Sequence, residues 1–253
     1  MRWDPAQYGR FADERSRPFF DLVGRVAASD PGSVVDLGCG SGELTVTLAE
    51  RWPGARVRGI DSSPEMIAKA PEHPRATFEV GDAAGFDATG VDVLISNAML
   101  QWVPDHMPLL TRWSRQLNPG GWLAFQVPSN FSAPSHRLMR ELAGEPEWRA
   151  QLSGVLRHED AVATAAGYLD HLATRGLSVE AWQTEYEHVL QGEDPVLEWV
   201  RGTGLRPVLA ALGDGDAARF SAEYSERLRE AYPRRPYGTV FGFSRTFVVA
   251  RKL

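Results

Sequence analysis

Three glycines directly after an apolar run are the first residues whose spacing indicates ligand chemistry. The run Ser33–Leu37 (SVVDL) is typical of a short buried strand, and Gly38, Gly40 and Gly42 follow it. Glycine allows positive φ and lets a ligand approach the main chain. A helix that begins at Glu43 would present its unpaired N–H groups at the same place. The pattern predicts a ligand cradle, although a tight strand-to-helix turn would need the same glycines.

The residues on either side of the glycines distinguish two classes of cofactor. A dinucleotide fingerprint, G-x-G-x-x-G or A, would place glycine or alanine where the chain has Glu43. The negative charge of Glu43 would repel a pyrophosphate, whereas Asp36 would attract an ammonium group. These residues therefore predict S-adenosylmethionine as the cofactor and disfavour a dehydrogenase.

Three further loops, each after a strand-like run, carry polar residues suited to the same cofactor. Asp61 follows Arg56–Ile60 and can accept hydrogen bonds from both ribose hydroxyls. It could instead cap the next helix, although Ser63, followed by Pro64, is predicted as the N-cap there. Asp82 could accept from the adenine amino group, although Gly-Asp is also a common turn. Asn97 and Trp102 predict the floor of a reaction site and are the catalytic candidates, unless Asn97 is a helix cap and Trp102 lies in the core.

The elements that must position these loops alternate between strands and helices. Apolar runs at 33–37, 56–60, 77–80, 91–96 and 122–127 predict βαβ units, a mostly parallel sheet and helices on both faces. The ligand then belongs at the carboxyl ends of the strands, near the reversal of strand order. Pro18 predicts two short helices within Tyr8–Ala28 rather than one. Helices are expected over 43–51 and 107–116 and within 132–175 and 195–231. Part of 178–190 is expected to be a strand, and 246–250 is predicted as the closing strand.

Longer stretches make the chain resemble the trans-aconitate 2-methyltransferase family, which consists of class I S-adenosylmethionine-dependent methyltransferases. The resemblance spans nearly the whole chain, and the stretch at 199–207 is much more specific than the glycine motif. The matching stretches are 3–5 (WDP), 11–15 (FADER), 60–67 (IDSSPEMI), 97–106 (NAMLQWVPDH), 117–121 (LNPGG) and 199–207 (WVRGTGLRP).

This resemblance implies a Rossmann-like α/β fold with a seven-stranded sheet and methyl ester formation on a tricarboxylate, most simply trans-aconitate. We expect residues 1–30 to form a helical cap over the cofactor, 31–190 and 241–253 the core, and 191–240 a helical lid. The expected cofactor contacts are Tyr8, Phe11, Arg15, Asp36, Gly38, Gly40, Gly42, Asp61, Ser62, Met66, Asp82, Ala83 and Asn97.

A polycarboxylate substrate requires cationic and other hydrogen-bond donors, and arginine matches a carboxylate best. Arg201 and Arg206 are favoured because they flank a Thr-Gly break between helical runs, and Arg245 is a further candidate. The expected substrate contacts are Trp102, His136, Trp199, Arg201, Arg206 and Tyr237. A carboxylate is ionised at neutral pH, so its methylation requires no general base.

Two other functions remain open at this point. Methyl transfer to carbon, nitrogen or a phenolic oxygen usually needs a base, for which His106 or His136 would serve. A non-catalytic S-adenosylmethionine-binding protein would carry the same glycine loop.

Composition limits the partners and the compartment. The 253 residues carry a net charge of −6, which disfavours nucleic acid as the main partner. The single cysteine allows no intrachain disulfide, and neither a signal peptide nor a membrane span is predicted. We expect a cytoplasmic monomer or weak homodimer without a bound metal.

Overall fold

The computed structural model describes residues 12–156 and 161–253, which form an α/β protein. Ten α-helices are described: α1 Ala12–Gly24, α2 Glu43–Arg51, α3 Pro64–Ile67, α4 Met107–Gln116, α5 Pro134–Ala143, α6 Pro146–Leu152, α7 Ala165–Ala173, α8 Pro195–Arg201, α9 Arg206–Ala211 and α10 Asp214–Ala231. The strands among these residues are β1 Ser33–Leu37, β2 Arg56–Asp61, β3 Ala76–Val80, β4 Val93–Asn97, β5 Trp122–Pro128, β6 Leu177–Leu190, β7 Arg234–Arg235 and β8 Gly238–Lys252. The predicted bounds of β1, α2 and α4 are confirmed.

The strands form one mixed sheet in the order β3-β2-β1-β4-β5-β8-β6. Strands β1 to β5 pair in parallel, and β8 pairs antiparallel with β5. The mostly parallel sheet is therefore confirmed, but the expected number of seven strands is wrong by one. The eighth strand, β7, pairs with the start of β8, and Gly238 adopts a φ of 130° in the tight connection between them.

Two sequence predictions about helix and strand length are corrected by the structure. Segment α1 is one helix that continues through Pro18. Proline removes one backbone hydrogen bond, but the buried apolar face of Phe19, Leu22 and Val23 keeps the helix on the core. Strand β6 is continuous rather than partial, and β8 begins eight residues before the predicted start at 246.

The chain divides into two compact units. The described residues of the first are 12–128, Val162–Thr184 and Arg245–Leu253, with a core of aliphatic residues on β1, β4 and β5. The second comprises Glu185–Ser244 and the described residues of 129–161, with a core rich in aromatic rings. The predicted lid at 191–240 falls within the second unit, which also contains α5 and α6 from the predicted core. Within the described residues, no helix combines the length and apolar character needed to cross a membrane.

Candidate functional site

The sheet topology brings four loops to one edge of the first unit. Strands β2 and β3 lie on one side of β1, and β4 and β5 lie on the other, so strand order reverses between β1 and β4. The hydroxyl of Ser96 on β4 donates to the carbonyl oxygen of Leu37 on β1 at 3.0 Å, which ties the ends of these strands together. Ligands of open α/β sheets bind outside the carboxyl ends of the strands at such a reversal.

The glycine loop after β1 has a backbone that only glycine adopts readily. Gly38, Gly40 and Gly42 have φ values of 84°, 58° and 79°. A Cβ atom at Gly38 would lie 2.5 Å from the side chain of Met99, and one at Gly42 would lie 2.4 Å from the ring of Phe78. At Gly40 a Cβ would meet no atom within 4 Å. Gly38 and Gly42 therefore serve close packing, whereas Gly40 leaves main chain open beside free space.

Asp61, at the end of β2, connects this loop to the next one. Its Oδ2 accepts the N–H of Gly40 at 2.9 Å, and its Oδ1 accepts the N–H of Ser63 at 2.9 Å. Ser63, rather than Asp61, caps α3, because its hydroxyl accepts the N–H of Met66. The prediction of Ser63 as the N-cap is confirmed. Each carboxylate oxygen of Asp61 keeps a further acceptor position, so bracing the loop is compatible with binding ribose hydroxyls.

Asp36 is buried beneath the glycine loop and is only partly satisfied. Its side chain accepts a 2.6 Å hydrogen bond from the hydroxyl of Thr45 on α2, while its Oδ1 has no partner among the described residues. The pKa of Asp36 is raised to about 6, chiefly by burial; the Thr45 hydrogen bond opposes this rise, and the nearby charge of Asp61 adds to it. An orphaned buried acceptor on β1, just before the glycine loop, fits a cofactor with an adenosyl group and a cationic end.

The remaining predicted cofactor contacts lie in less distinctive surroundings. Asp82 is exposed, and its Oδ1 accepts the N–H of Ala84 at 2.7 Å, as a turn residue does. Met66 and Ala83 are buried, whereas Ser62 is exposed. The backbone of Arg15 lies in α1. Tyr8 and Phe11 lie outside the described residues.

Asn97, at the end of β4, belongs to a chain of polar side chains. Its Oδ1 accepts a 2.6 Å hydrogen bond from Nε2 of Gln126, and Oε1 of Gln126 accepts from Arg245 at 3.2 Å. Sequence reasoning missed Gln126, although a glutamine inside the apolar run of β5 (WLAFQVP) is a usable signal. Arg245 was a candidate substrate contact, but it is buried at 5% exposure in this chain of hydrogen bonds. Trp102 is half-buried at the end of a short 3-10 helix, Leu100–Trp102, that follows β4.

The other predicted substrate contacts lie in the second unit. Trp199 is 1% exposed and packs against His188, Phe241 and Phe243 in the aromatic core, and its role as a substrate contact stays a prediction. Half-buried His136, Arg201 and Arg206 lie on α5, α8 and the start of α9, and Arg201 pairs with Glu198 at 3.3 Å. Tyr237 is 54% exposed, and its hydroxyl accepts from Arg235.

His106 does not fit the role of a general base. Its ring stacks on Tyr168, and its Nε2 lies 2.7 Å from the Tyr168 hydroxyl. Its Nδ1 lies 3.2 Å from the carbonyl oxygen of Val103, so both ring nitrogens have partners. Burial lowers the pKa of His106. This corrects its nomination as a base in the alternative function.

Comparison with known proteins agrees with this geometry. A family described as a methyltransferase domain matches residues 34–121. A trans-aconitate 2-methyltransferase of Streptomyces avermitilis is 54% identical, over 99% of this chain and 97% of its own length. The chain belongs to the trans-aconitate 2-methyltransferase family. The family member of Mycolicibacterium gilvum is 50% identical over 98% of both chains, and that of Methylobacterium nodulans is 46% identical over 99% and 98%.

Solved structures share the fold at much lower identity. The YcgJ protein of Bacillus subtilis covers 93% of this chain and 98% of its own, with a TM-score of 0.58 and 13% identity. The phosphoethanolamine N-methyltransferase 2 of Haemonchus contortus, solved with S-adenosyl-L-methionine, has a TM-score of 0.53 and 17% identity over 93% of this chain and 52% of its own. The [4+2]-cyclase SpnF matches with a TM-score of 0.54 and 15% identity, covering 94% and 81%. The fold alone therefore does not fix the reaction.

The raised pKa of Asp36 predicts a measurable gain in stability for Asp36→Asn. A carboxyl group whose pKa rises from 3.8 to about 6 on folding stabilises the protein below pH 3.8, and this contribution is lost as the pH rises through 6. At pH 7 the free energy of unfolding of the unliganded variant should be higher by up to roughly 3 kcal/mol, and most of this gain should be absent at pH 4. Denaturant unfolding at the two pH values measures this difference.

The control is Asp87→Asn, because hydrogen bonds from Thr89 lower the pKa of Asp87 and give the opposite trend with pH. Asp36→Asn should also bind S-adenosylhomocysteine more weakly at pH 7, since asparagine attracts an ammonium less strongly. A variant with unchanged stability and unchanged affinity would contradict the assigned role of Asp36.

Proposed function

We propose that this chain transfers a methyl group from S-adenosylmethionine to a carboxylate of a small polycarboxylic acid, with trans-aconitate as the first substrate to test. The observation that carries this proposal is the identity of 46–54% to named trans-aconitate 2-methyltransferases over nearly the full length of both chains. These alignments include both units of the chain, whereas the methyltransferase-domain family matches only residues 34–121.

The cofactor site of this proposal is built on the loops after β1, β2, β3 and β4. Gly40 lets the backbone approach the ligand, and Gly38 contributes main chain to the same loop while it packs against Met99. Asp61 accepts hydrogen bonds from the ribose hydroxyls, and Asp36 balances the positive charge of the methionine end. The wider set retains Tyr8, Phe11, Arg15, Gly42, Ser62, Met66, Asp82, Ala83 and Asn97. The support comes from the open main chain at Gly40 and the orphaned Oδ1 of Asp36.

The chemistry demands little acid–base help from the protein. S-adenosylmethionine supplies a methyl group on a positively charged sulfur, which an ionised carboxylate oxygen can displace directly. Because carboxyl groups have ordinary pKa values near 4, no proton has to be removed first. The hydrogen bonds of His106 to Tyr168 and Val103 agree with this, since they leave that histidine no basic nitrogen to offer. The contribution of the enzyme is to orient the acceptor, which is worth roughly 7–11 kcal/mol in favourable cases.

Recognition of the acid is proposed to depend on cationic side chains. A substrate with two or three carboxylates needs several cationic donors, and the guanidinium fork of arginine binds a carboxylate through two parallel hydrogen bonds. Arg201 and Arg206 flank the break between α8 and α9, and we propose them together with His136 as ligands of the carboxylates that do not react. Trp102 and Tyr237 are retained as proposed contacts of the acid.

The decisive assay is incubation of the purified protein with labelled S-adenosylmethionine and a panel of di- and tricarboxylates, followed by mass spectrometry of the esters. We expect a monomethyl ester of trans-aconitate, formed at a higher kcat/KM than that of any dicarboxylate. Methylation of phenols or amines in place of acids would contradict the proposed acceptor class. Tight binding of S-adenosylhomocysteine without any methylated product would indicate a non-catalytic protein.

Replacement of Arg206 by alanine should weaken binding of the acid selectively. A lost charge-assisted hydrogen bond costs about 1.5–3 kcal/mol, so the KM for the acid should rise about 10- to 100-fold while the affinity for S-adenosylhomocysteine stays within about twofold. Steady-state kinetics and calorimetry measure the two quantities. Arg219→Ala is the matched control, because Arg219 is exposed and paired with Glu147 and Asp216 in the same unit. Equal kinetics for the two variants would exclude Arg206 as a substrate ligand.

A further inference from the structure

The polar chain from Arg245 to Asn97 has a fixed direction. Arginine carries only hydrogen-bond donors, so whatever faces its guanidinium must be an acceptor. Oε1 of Gln126 occupies that position at 3.2 Å. The amide of Gln126 is thereby oriented with its Nε2 on the other side, where it donates to Oδ1 of Asn97 at 2.6 Å. Because the Asn97 oxygen is engaged, the outer group of this side chain is its NH2.

The sheet register explains why these three side chains meet. Asn97 on β4 lies opposite Gln126 on β5, and parallel neighbours in register present their side chains on the same face. Arg245 on β8 lies opposite Pro128, two residues beyond Gln126, and is therefore a diagonal neighbour on that face. The register of the strands therefore places the buried cation of Arg245 so that only Gln126 separates it from Asn97 at the end of β4.

Burial makes this arrangement hard to reverse. Gln126 is 0% exposed and Arg245 is 5% exposed, so water does not compete for their hydrogen bonds. Turning the amide of Gln126 over would place an NH2 group against the guanidinium and would leave buried donors without an acceptor. Such an unsatisfied buried group costs about 1–3 kcal/mol, and more when a charge is involved. Asn97 is half-buried and stands where the chain of hydrogen bonds reaches the carboxyl edge of the sheet.

We propose that Gln126 and Arg245 are positioning residues that fix Asn97 with its NH2 group toward the site, where it donates to a carboxylate oxygen. This inference rests on the proposed function. The carboxylate belongs either to the methionine end of the cofactor or to the acid substrate, because both carry one. An unoriented asparagine could present its oxygen equally well, which would favour the cofactor ammonium and repel either carboxylate.

Gln126→Glu tests the direction of the hydrogen bonds with almost no change of volume. The new carboxylate keeps an acceptor for Arg245 but has no donor for Asn97, so Asn97 must turn over and present its oxygen to the site. We expect either the affinity for S-adenosylhomocysteine to fall about 10- to 100-fold or the KM for the acid to rise by that factor. If only the affinity for S-adenosylhomocysteine falls, the partner of Asn97 is the cofactor carboxylate. If only the KM for the acid rises, the partner is a carboxylate of the acid.

Two further variants separate direction from charge and from folding. Gln126→Met removes both hydrogen bonds without adding charge. It should affect the same ligand as Gln126→Glu, the cofactor or the acid, but weaken its binding by a smaller factor. Arg245→Lys keeps a cation that only donates and should bind within about threefold of the wild type, whereas Arg245→Met should resemble Gln126→Met. Thermal unfolding of each variant confirms that the folded protein is being compared.

Several outcomes would overturn the proposal. Wild-type affinity and KM in folded Gln126→Glu would do so, as would higher affinity of that variant for S-adenosylhomocysteine, since that would place the ammonium next to Asn97. A Gln126→Met variant identical to wild type would assign the effect to charge alone. If the wild-type protein makes no ester from any acid, the proposed function fails, while the calorimetric comparison still tests the orientation of Asn97.

Discussion

The hydrogen bonds of one carboxylate, that of Asp61, hold the candidate cofactor site together. They join the glycine loop after β1 to the turn after β2, through the N–H of Gly40 and the N–H of Ser63. The N–H groups of Gly38 and Cys39 also donate to the carbonyl oxygen of Ile60, but the Asp61 carboxylate binds the N–H of Gly40 itself, whose φ is 58°. Burial is the main cause of the raised pKa of Asp36, and the negative charge of the Asp61 carboxylate adds to it, so Asp61 affects both the geometry of the loop and the electrostatics of the site.

The site combines polar groups that are fixed before any ligand binds. Asp36 is held by Thr45, Asp61 by two backbone N–H groups, and Asn97 by Gln126. Pre-set donors and acceptors lower the cost of ordering the site when the ligand arrives. This suits a reaction in which the protein contributes orientation rather than proton transfer, because methylation of an ionised carboxylate needs no base.

Local patterns were sufficient to predict most of the sheet and the cofactor loops from sequence. The apolar run of β1, the glycines that follow it and the Ser63-Pro64 start of α3 each act over a few residues, and the structure has them as predicted. The prediction of two helices from Pro18 was wrong because burial of one helix face outweighed the loss of a single hydrogen bond. The short strand β7 could not be predicted from the sequence, because two residues are too few to show a strand periodicity.

Side-chain roles that depend on distant partners were the harder part. Trp199 and Arg245 have side chains suited to a ligand site. Trp199 instead packs in the core of the second unit, and Arg245 donates a hydrogen bond to Gln126. Spacing along the chain cannot show that residues 97, 126 and 245 meet, because three strands in a particular register bring them together. The expected cytoplasmic location and the oligomeric state stay predictions.

Titration calorimetry of S-adenosylhomocysteine into wild-type protein, Asp61→Ala and Asp87→Ala tests the central role of Asp61 most directly. Asp87→Ala is the control because it removes the same charge from an exposed turn of the same unit. We predict that Asp61→Ala lowers the affinity at least about 100-fold, through the loss of the ribose acceptor and of the bond to Gly40, while Asp87→Ala binds as the wild type does. Equal affinity of folded Asp61→Ala and wild-type protein would contradict the account.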